Sequence, residues 1–432
     1  MNIAVVGTGY VGLVTAACFA EFGVTVIAVD KDESKIAALQ RGQVPFYEPG
    51  LEEMVRRNMK EGRLSFSANM KPAVEKALVV LIAVGTPPGE GGAADLSFVR
   101  EVALGIAPCL NGYKVIVTKS TVPMGTGAMI RRLIEENQTG HVAFSVASNP
   151  EFLREGAAIE DFMRPNRVVI GAEDPQAVAI LKDLYHPLYL IETPFVITNV
   201  VSAEMVKYAS NAFLATKVSF INEIANLCEA VGADVHEVAR GMGLDNRIGR
   251  KFLHPGPGFG GSCFPKDTRA VARMAEDVGV PARIVEAVIE VNERQAGRMV
   301  EKITAAVGGL KGKTIAFLGL SFKPNTSDTR DSPALRIIRE VLQAGAGVRA
   351  YDPIAMPEAR QALPSIAYAE DAYDAARGCE ALVIATEWNQ FRSLDWDRMK
   401  KALKSPVVVD LRNVYEPDQM KALGIRYTGV GR

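Results

Sequence analysis

The chain has 432 residues, 48% hydrophobic and 23% charged, which is enough for two or three domains of an ordinary globular protein. Its 49 Lys and Arg residues against 50 Asp and Glu residues give no reason to expect nucleic acid or an anionic membrane as a partner. Five cysteines and four histidines without ligand spacing predict a reducing cytoplasmic setting and no metal. No apolar run reaches the roughly 18 residues of a membrane span.

The first third of the chain alternates short apolar runs with helical stretches, which is typical of a parallel α/β sheet. Strands are predicted at 2–7, 25–30, 77–85, 113–120 and 142–148. Loops rich in Gly, Pro, Thr and Asn follow them. Because ligands bind outside the carboxyl ends of strands in doubly wound sheets, these loops are expected to line a cleft.

A dinucleotide-binding fingerprint follows the first predicted strand. Its glycines are Gly7, Gly9 and Gly12, and Asp30 ends the second strand. The first glycine makes the tight turn, the second lets a pyrophosphate approach the backbone, and the third packs helix on strand. A carboxylate at position 30 suits ribose hydroxyls and repels a 2′-phosphate, so the motif predicts NAD rather than NADP. The predicted contacts in the fingerprint are Gly7, Gly9, Tyr10, Val11 and Gly12.

A helical region separates this pattern from a second α/β pattern. Residues 202–232 predict one long helix, with Ser202 able to cap it and Gly232 able to end it. From Lys311 onward, strands are predicted at 313–320, 348–353, 381–387 and 406–411. The predicted fold is therefore α/β, with two Rossmann-like doubly wound domains (1–199 and 306–432). A long central helix and a helical dimerisation region (200–305) join them.

Two polar side chains lie one turn apart on the long helix. Lys207 and Asn211 share a stripe with apolar side chains that are expected to be buried. An ammonium and an amide on such a stripe need partners, which a cleft can supply, although Lys207 could also extend into solvent at the helix start.

The segment "GPGFGGSCFPKD" (256–267) surrounds Cys263 with glycines, which let the backbone approach a ligand. Pro265 suits the first turn of a helix, so Cys263 is expected just before a helix N-terminus, where the thiolate is favoured. Asp267 could then fix a base or carry a proton. The other cysteines are interpreted as buried structural residues.

Thr121 and Glu151 follow two of the predicted strands. A hydroxyl and a carboxylate at this edge could hold or polarise a water molecule. A role for either residue in capping its own loop is an equally good interpretation.

Seven segments in order resemble the UDP-glucose 6-dehydrogenase family of nucleotide-sugar dehydrogenases over essentially the whole chain. They include "VVGTGYVG", "KSTVPMGT", "NPEFLREG", "GPGFGGSCFPKD" and "FLGLSFKPNTSDTRDSPAL". The resemblance implies a four-electron oxidation of a sugar primary alcohol to a carboxylate with two NAD⁺. It further implies that 306–432 binds the UDP-sugar and that 200–305 carries the catalytic cysteine.

The resemblance also implies roles for individual residues. Cys263 would form a thiohemiacetal and then a thioester, and Lys207 beside Asn211 would stabilise the oxyanions. Asp267 would handle protons, while Thr121 and Glu151 would position water. The expected NAD contacts outside the fingerprint are Lys35, Thr86, Thr121, Glu155, Lys266 and Arg330. The expected sugar-nucleotide contacts are Glu151, Phe152, Leu153, Arg154, Glu155, Lys207, Asn211, Arg247, Phe252, Leu253, His254, Pro255, Gly256, Gly260, Phe322, Lys323 and Arg412.

Subunit arrangement is also expected from the resemblance. Arg247 matches an arginine that reaches across from a neighbouring subunit in some members. His254 stands where animal members carry lysine, which favours a bacterial type. The animal C-terminal extension is absent, so a homodimer through the long helix is expected rather than a hexamer.

Alternative functions remain open at this point. GDP-mannose dehydrogenases tend to read "RPGFAFGGSC" and UDP-N-acetylmannosamine dehydrogenases "PGVGGHC", so the "HPGPGFGGSC" of this chain favours UDP-glucose. Two-electron 3-hydroxyacid dehydrogenases share the fingerprint and a Lys-x-x-x-Asn helix, but need no thiol at position 263. A non-catalytic NAD-binding protein would not explain Lys207 and Cys263 together.

Overall fold

The computed structural model describes residues 1–432, which form two compact units, Met1–Ser210 and Asn211–Arg432. The first unit is built on an eight-stranded sheet in the order β3-β2-β1-β4-β5-β6-β7-β8, parallel except where β6 meets β7. Its strands are Asn2–Val6 (β1), Thr25–Val29 (β2), Leu64–Ser67 (β3), Val79–Ile82 (β4), Lys114–Thr118 (β5), Phe144–Ser148 (β6), Val168–Ala172 (β7) and Phe195–Thr198 (β8).

Helices cover both faces of this sheet, because its central strands are apolar on both sides. In β1, Ile3 and Val5 belong to one buried cluster, whereas Ala4 and Val6 belong to another. Each fully buried Val or Ile contributes about 1.5–3 kcal/mol relative to exposure. The helices are Tyr10–Glu21 (α1), Glu33–Gln40 (α2), Leu51–Lys60 (α3), Met70–Lys76 (α4), Ser97–Ile106 (α5), Thr126–Asn137 (α6), Ala158–Met163 (α7) and Pro175–Leu184 (α8).

The long predicted helix is present as Val200–Val231 (α9), which begins in the first unit and continues in the second. The prediction that Ser202 caps it is wrong. The helix begins two residues earlier, and the Asn199 side chain accepts a hydrogen bond from the Ser202 backbone N–H at 2.7 Å. Gly232 follows the helix with φ of +77°, a conformation that glycine adopts without strain.

The second unit contains a six-stranded, fully parallel sheet in the order β11-β10-β9-β12-β13-β14. Its strands are Thr314–Leu318 (β9), Gly347–Tyr351 (β10), Ala367–Tyr368 (β11), Ala381–Ile384 (β12), Val407–Asp410 (β13) and Arg426–Thr428 (β14). Its helices after α9 are Val235–Gly243 (α10), Phe264–Asp277 (α11), Arg283–Val307 (α12), Pro333–Gln343 (α13), Met356–Ala362 (α14), Ala372–Ala376 (α15), Trp396–Ala402 (α16) and Pro417–Ala422 (α17).

The α/β class with two Rossmann-like sheets and a long central helix is therefore confirmed. Five strands went unpredicted: β3, β7, β8, β11 and β14. Of these, β8 lies at a sheet edge and exposes Val196 and Ile197, so it lacks the alternation that marks a half-buried strand.

Candidate active site

The three fingerprint glycines after β1 are required for different structural reasons. Gly7 has φ of +102°, and a Cβ there would lie 2.7 Å from the Ala83 carbonyl oxygen. A Cβ on Gly12 would lie 1.9 Å from the Gly7 oxygen, so both positions exclude any side chain. Gly9, which directly precedes α1, has open space where its Cβ would be. That open space before a helix N-terminus fits the pyrophosphate of a dinucleotide.

Asp30 follows β2 and accepts hydrogen bonds from the Thr8 backbone N–H at 2.9 Å and the Thr8 hydroxyl at 2.8 Å. The Lys35 ammonium lies 2.9 Å from the same carboxylate. Burial opposes ionisation, but the hydrogen bonds from Lys35, Thr8 and Asp32 hold the pKa of Asp30 below its ordinary value. Asp30 and Lys35, which are both predicted NAD contacts, are thus in contact with each other.

Three further predicted cofactor contacts lie at this edge of the first sheet. The Thr86 hydroxyl donates to the Thr121 carbonyl oxygen at 2.9 Å, which joins the loops after β4 and β5. The Tyr10 hydroxyl donates to Glu48, a buried carboxylate that also accepts the backbone N–H groups of Gly156 and Ala158 at 2.6 and 2.8 Å. Glu48 therefore ties the first residue of α1 to the segment after Glu155, a link that the sequence did not reveal.

A buried ion pair follows β6. The Lys207 ammonium lies 3.0 Å from Glu151, and the two side chains are 4% and 5% exposed. The second Glu151 oxygen accepts the Leu153 backbone N–H at 2.5 Å. Two cations lie near the Phe152 ring. The Lys207 ammonium is 5.4 Å and the Arg167 guanidinium 3.4 Å from the ring centroid. The expectation that Lys207 is buried and partnered holds.

Three more residues of this segment are predicted substrate contacts, of which Leu153 and Glu155 are half-buried and Arg154 is exposed. Arg154 pairs with Asp161, with Nη2 to Oδ1 at 2.6 Å and Nε to Oδ2 at 2.9 Å. Because this pairing is bidentate, it fixes the orientation of the guanidinium.

Cys263 in the second unit occupies the N-cap of α11, with Pro265 in the first turn, as predicted. Its backbone carbonyl accepts the Asp267 N–H at 2.8 Å, which closes that turn. Its sulfur lies 3.6 Å from the Ser262 hydroxyl. Cys263 is partly exposed, whereas Cys18, Cys109, Cys228 and Cys379 are buried. A thiol at a helix N-terminus faces the positive end of the helix dipole, which favours a thiolate.

A buried carboxylate in the same turn joins α11 to α9. Asp267 is 1% exposed. It accepts a hydrogen bond from the Asn211 amide at 2.6 Å and pairs with the Lys266 ammonium at 2.6 Å. Asn211, which is one helical turn beyond Lys207 on α9, is thereby fixed in orientation.

The glycines around Cys263 are required for close packing, which was not predicted from the sequence. A Cβ on Gly260 would lie 2.3 Å from the Asp331 carbonyl oxygen, and one on Gly261 would lie 2.7 Å from the Phe322 ring. A Cβ on Gly256 would lie 3.1 Å from the Leu411 carbonyl oxygen. These glycines let the loop pack against other loops of its own unit. The prediction explained them only by the approach of a ligand.

The predicted sugar-nucleotide contacts Phe322, Lys323 and Arg412 lie next to this loop. Arg412 donates to the carbonyl oxygens of Ala385 at 2.9 Å and Phe322 at 3.0 Å. The Lys323 ammonium lies 5.4 Å from the Phe322 ring centroid. Three loops of the second unit are therefore in contact, around residues 256–263, 322–331 and 411–412.

The other predicted residues of the second unit differ in their exposure. Phe252 has φ of +66°, a left-handed conformation that costs a non-glycine residue energy. Leu253, Pro255 and Gly256 are buried and His254 is exposed. Arg247 is highly exposed and pairs with Asp245 at 2.6 Å. Arg330 pairs with Asp328 at 2.7 Å.

Sequence reasoning missed a buried polar cluster beside Glu151. The Lys119 ammonium donates to Asn149 Oδ1 at 3.0 Å and to the Tyr185 hydroxyl at 3.1 Å. Burial lowers the pKa of Lys119 to about 8. Lys119 is the first residue of the segment "KSTVPMGT". Its burial could not be predicted, because nothing in the sequence distinguishes a buried lysine from an exposed one directly after a strand.

No cluster of three or more His, Cys, Asp or Glu side chains suitable for a metal occurs in the chain. None of its helices combines the length and apolarity that crossing a membrane requires.

Comparison with protein-family models gives three matches in chain order. Residues 1–189 match the NAD-binding domain of the UDP-glucose/GDP-mannose dehydrogenase family, and residues 201–294 match its central domain. Residues 316–417 match its UDP-binding domain. The predicted boundaries at 199/200 and 305/306 stay a prediction.

Individual relatives cover the chain from end to end. A UDP-glucose 6-dehydrogenase of Rhizobium meliloti is 53% identical over 100% of both chains. A UDP-glucose dehydrogenase structure from Pyrobaculum islandicum is 42% identical with a TM-score of 0.92, covering 100% of this chain and 97% of that one. A UDP-D-ManNAc dehydrogenase structure from Pyrococcus horikoshii is 27% identical with a TM-score of 0.87, covering 100% and 99%.

Proposed function

Because this chain belongs to the UDP-glucose/GDP-mannose dehydrogenase family, we propose that it oxidises carbon 6 of UDP-glucose from a primary alcohol to a carboxylate. The observation that carries the proposal is Cys263 at the N-cap of α11, one turn before the buried Asp267 that holds Asn211. A two-electron alcohol dehydrogenase needs no thiol in that position.

The electrons and atoms balance over two oxidations and one hydrolysis. Each NAD⁺, when bound, accepts one hydride, so two equivalents take up the four electrons. The first oxidation removes a hydride from carbon 6 and a proton from its hydroxyl, which leaves an aldehyde. The Cys263 thiolate adds to the aldehyde carbon, and the resulting alkoxide oxygen takes up a proton to give a thiohemiacetal. Removal of the second hydride and the hydroxyl proton gives a thioester, and water breaks its carbon–sulfur bond to release the carboxylate and the thiol.

The chain's own residues supply charge and proton transfer. Lys207, held by Glu151, would stabilise negative charge on the oxygen of carbon 6 in each tetrahedral species. Asp267 would exchange protons through water, with Asn211 and Lys266 fixing its carboxylate. Thr121 and Glu151 would position the hydrolytic water.

Each unit has its own set of proposed binding residues. On the first unit the cofactor contacts would be the fingerprint residues with Asp30, Lys35, Thr86 and Glu155. On the second unit Phe322, Lys323 and Arg412 would hold the nucleotide, since their loops already pack on the cysteine loop. The remaining contacts expected from the sequence are kept as part of this proposal, including Lys266 and Arg330 for the cofactor.

The choice of UDP-glucose as substrate rests on a difference in sequence identity between this chain and two of its relatives. Identity is 42% to the UDP-glucose dehydrogenase structure and 27% to the UDP-D-ManNAc dehydrogenase structure, at similar coverage. The motif "HPGPGFGGSC" agrees with that ranking. Comparing kcat/KM for UDP-glucose, GDP-mannose and UDP-N-acetylmannosamine tests it, and a higher value for either alternative would reject UDP-glucose.

We also propose a homodimer formed through α9. Phe213, Phe220 and Leu227 recur every seven residues on that helix, and they are 66%, 45% and 57% exposed. Such an exposed apolar row on a helix suits a second copy of the same helix. Sedimentation should give twice the chain mass, and Phe213→Glu with Phe220→Glu should give the monomer. The cytoplasmic location expected from the cysteine pattern stays a prediction.

The function is tested by Cys263→Ser, which keeps the shape of the side chain but provides a far poorer nucleophile near neutral pH. The wild-type protein should form two NADH per UDP-glucose consumed. The variant should lose acid production by several orders of magnitude while its affinity for UDP-glucose stays unchanged. Cys109→Ser is the matched control, because a serine there can keep the hydrogen bond that the thiol donates to the Gly105 carbonyl oxygen. Near-normal acid production by Cys263→Ser would reject the mechanism.

A further inference from the structure

Lys119 follows β5 and is 4% exposed, yet it forms no salt bridge. Its ammonium donates to two neutral groups, Asn149 Oδ1 at 3.0 Å and the Tyr185 hydroxyl at 3.1 Å. It lies 5.9 and 5.8 Å from the ring centroids of Phe162 and Tyr185. The Tyr185 hydroxyl and the Val169 carbonyl complete the hydrogen bonds of Asn149 at 2.6 and 2.8 Å.

A buried ammonium without an ion pair is unfavourable for folding, and an apolar side chain of the same length would be better tolerated. Packing therefore does not explain Lys119. The charges that act on its ammonium are Glu151, which favours it, and Lys207, which opposes it. Two cations thus share one carboxylate, and Asn149 lies two residues before that carboxylate.

We propose that Lys119 is a positioning residue for the oxidation, which fixes the Asn149–Glu151 segment and partly neutralises Glu151. If Lys207 alone faced Glu151, the pair would present little net charge to a developing oxyanion. With the charge of Lys119 added to the pair, the three groups carry a net positive charge and Lys207 acts as a cation. The inference rests on the roles proposed above for Lys207 and Glu151.

The proposal requires a pH dependence with a defined sign. Burial lowers the pKa of Lys119 to about 8, so the charge is present below that pH and is lost above it. The rate should therefore fall as the pH rises through about 8. Asp161 and Arg167 line the same small cavity, and Arg154 pairs with Asp161. Burial raises the pKa of Tyr185, so its hydroxyl stays protonated over this range.

The first test is Lys119→Met. We expect kcat to fall about 10²–10³-fold, the size of effect seen when one oxyanion-stabilising group is removed. KM for UDP-glucose should change less than about threefold, because binding is left intact. The Tm should stay the same or rise, since a buried charge is removed.

The matched control is Lys114→Met. Lys114 is also a buried lysine, at the opposite end of β5, and its ammonium donates to the Ala77 carbonyl oxygen at 2.8 Å. Its kcat should be unchanged. If Lys119→Met lowers kcat only together with Tm, or if Lys114→Met lowers kcat to the same extent, Lys119 is structural and the proposal fails. An unchanged kcat in Lys119→Met also overturns it.

A second variant decides the matter if Lys119→Met does not fold. Asn149→Asp keeps Lys119 and gives its ammonium a carboxylate partner, so the alkaline loss of kcat should move to higher pH. An unmoved profile overturns the proposal. Lys207→Ala separates this from the proposed function: if that variant keeps its activity, the role of Lys207 fails whatever Lys119 does.

Discussion

The two sheets have corresponding strand orders, but the carboxylate that follows the second strand has different surroundings in each. Their strand orders correspond, β3-β2-β1-β4-β5-β6 in the first unit and β11-β10-β9-β12-β13-β14 in the second. Gly7 and Gly319 follow the equivalent strands with φ of +102° and +95°, and each donates its N–H to the end of the neighbouring strand, at 2.7 and 2.9 Å. Asp30 and Asp352 directly follow those neighbouring strands.

The two carboxylates differ in what they are available to bind. Asp30 is 13% exposed and faces Thr8 and Lys35. Asp352 is fully buried, and its oxygens accept six hydrogen bonds, including the Trp388 indole N–H at 3.1 Å. An acidic residue at the end of the second strand therefore indicates a ribose site only where the chain leaves it accessible.

The largest expected effect is the loss of stability in Asp352→Ala. The substitution leaves the backbone N–H groups of Leu320, Ser321, Ile354 and Ala355 and the Trp388 N–H without their acceptor. Several buried donors without partners should cost about 3–5 kcal/mol in the free energy of unfolding. Urea denaturation measures it.

Asp30→Ala is the control at the equivalent position of the first sheet, where partial exposure should limit the cost to about 1 kcal/mol. Equal destabilisation by the two substitutions would show that both carboxylates stabilise the fold to the same extent. The proposed difference between Asp30 and Asp352 would then be rejected.

Asp30→Ala should instead change the choice of cofactor. Removing the carboxylate ends its repulsion of a 2′-phosphate and releases the Lys35 ammonium that it holds at 2.9 Å. The ratio of kcat/KM for NAD⁺ to that for NADP⁺ should fall about 10- to 100-fold, or about 1.4–2.8 kcal/mol. Asp30→Ala combined with Lys35→Ala should show a smaller fall. A ratio that stays at the wild-type value would contradict the role assigned to Asp30.

Local features of the site were predictable from sequence. The Gly7 turn, the start of α11 at Cys263 and the burial of Lys207 and Asn211 each follow from residues within one or two turns of the chain. The inner strands of both sheets were also predictable, because buried parallel strands are continuous apolar runs, whereas β3, β7, β8, β11 and β14 at or next to the ends of the sheets were not.

Contacts between distant segments were not predictable. Asp267 holds Asn211 across 56 residues, and Glu48 holds Gly156 across 108. A single sequence states that these groups are polar but not which partner each one meets. The burial of Lys119 is another such case, since Tyr185 lies 66 residues away.

Lys323→Met should weaken nucleotide binding in the second unit without affecting the first. The Lys323 ammonium lies over Phe322, whose carbonyl Arg412 holds at 3.0 Å. Losing one cation beside a diphosphate should raise the Kd for UDP about tenfold. The Kd for NAD⁺ should not change. Calorimetry measures both, with Lys404→Met as the control, since that exposed lysine pairs with Glu380. If both variants raise the Kd for UDP equally, the effect comes from the net charge of the protein and not from the position of Lys323.

The smallest effect concerns a carboxylate that ties the first sheet to α9. Glu204 is buried, and its oxygens accept the backbone N–H groups of Gly125 and Gly127, at the start of α6, at 2.8 and 2.9 Å. Burial raises the pKa of Glu204 to about 7, against the opposing effect of those hydrogen bonds, and Glu173 raises it further. The folded protein therefore keeps a proton that the unfolded chain loses near its ordinary pKa.

Stability should accordingly fall as the pH rises from about 4.5 to about 7, and this part of the pH dependence should be absent in Glu204→Gln. Relative to wild type, the Tm of Glu204→Gln should rise by a few degrees between pH 5 and pH 8, at about 2–4 °C per kcal/mol for a folding unit of the size of Met1–Ser210. Glu173→Gln, which changes an exposed neighbour, should reproduce only a small part of the shift. If wild type and Glu204→Gln keep a constant difference in Tm across that range, Glu204 is ionised throughout and its two hydrogen bonds outweigh its burial.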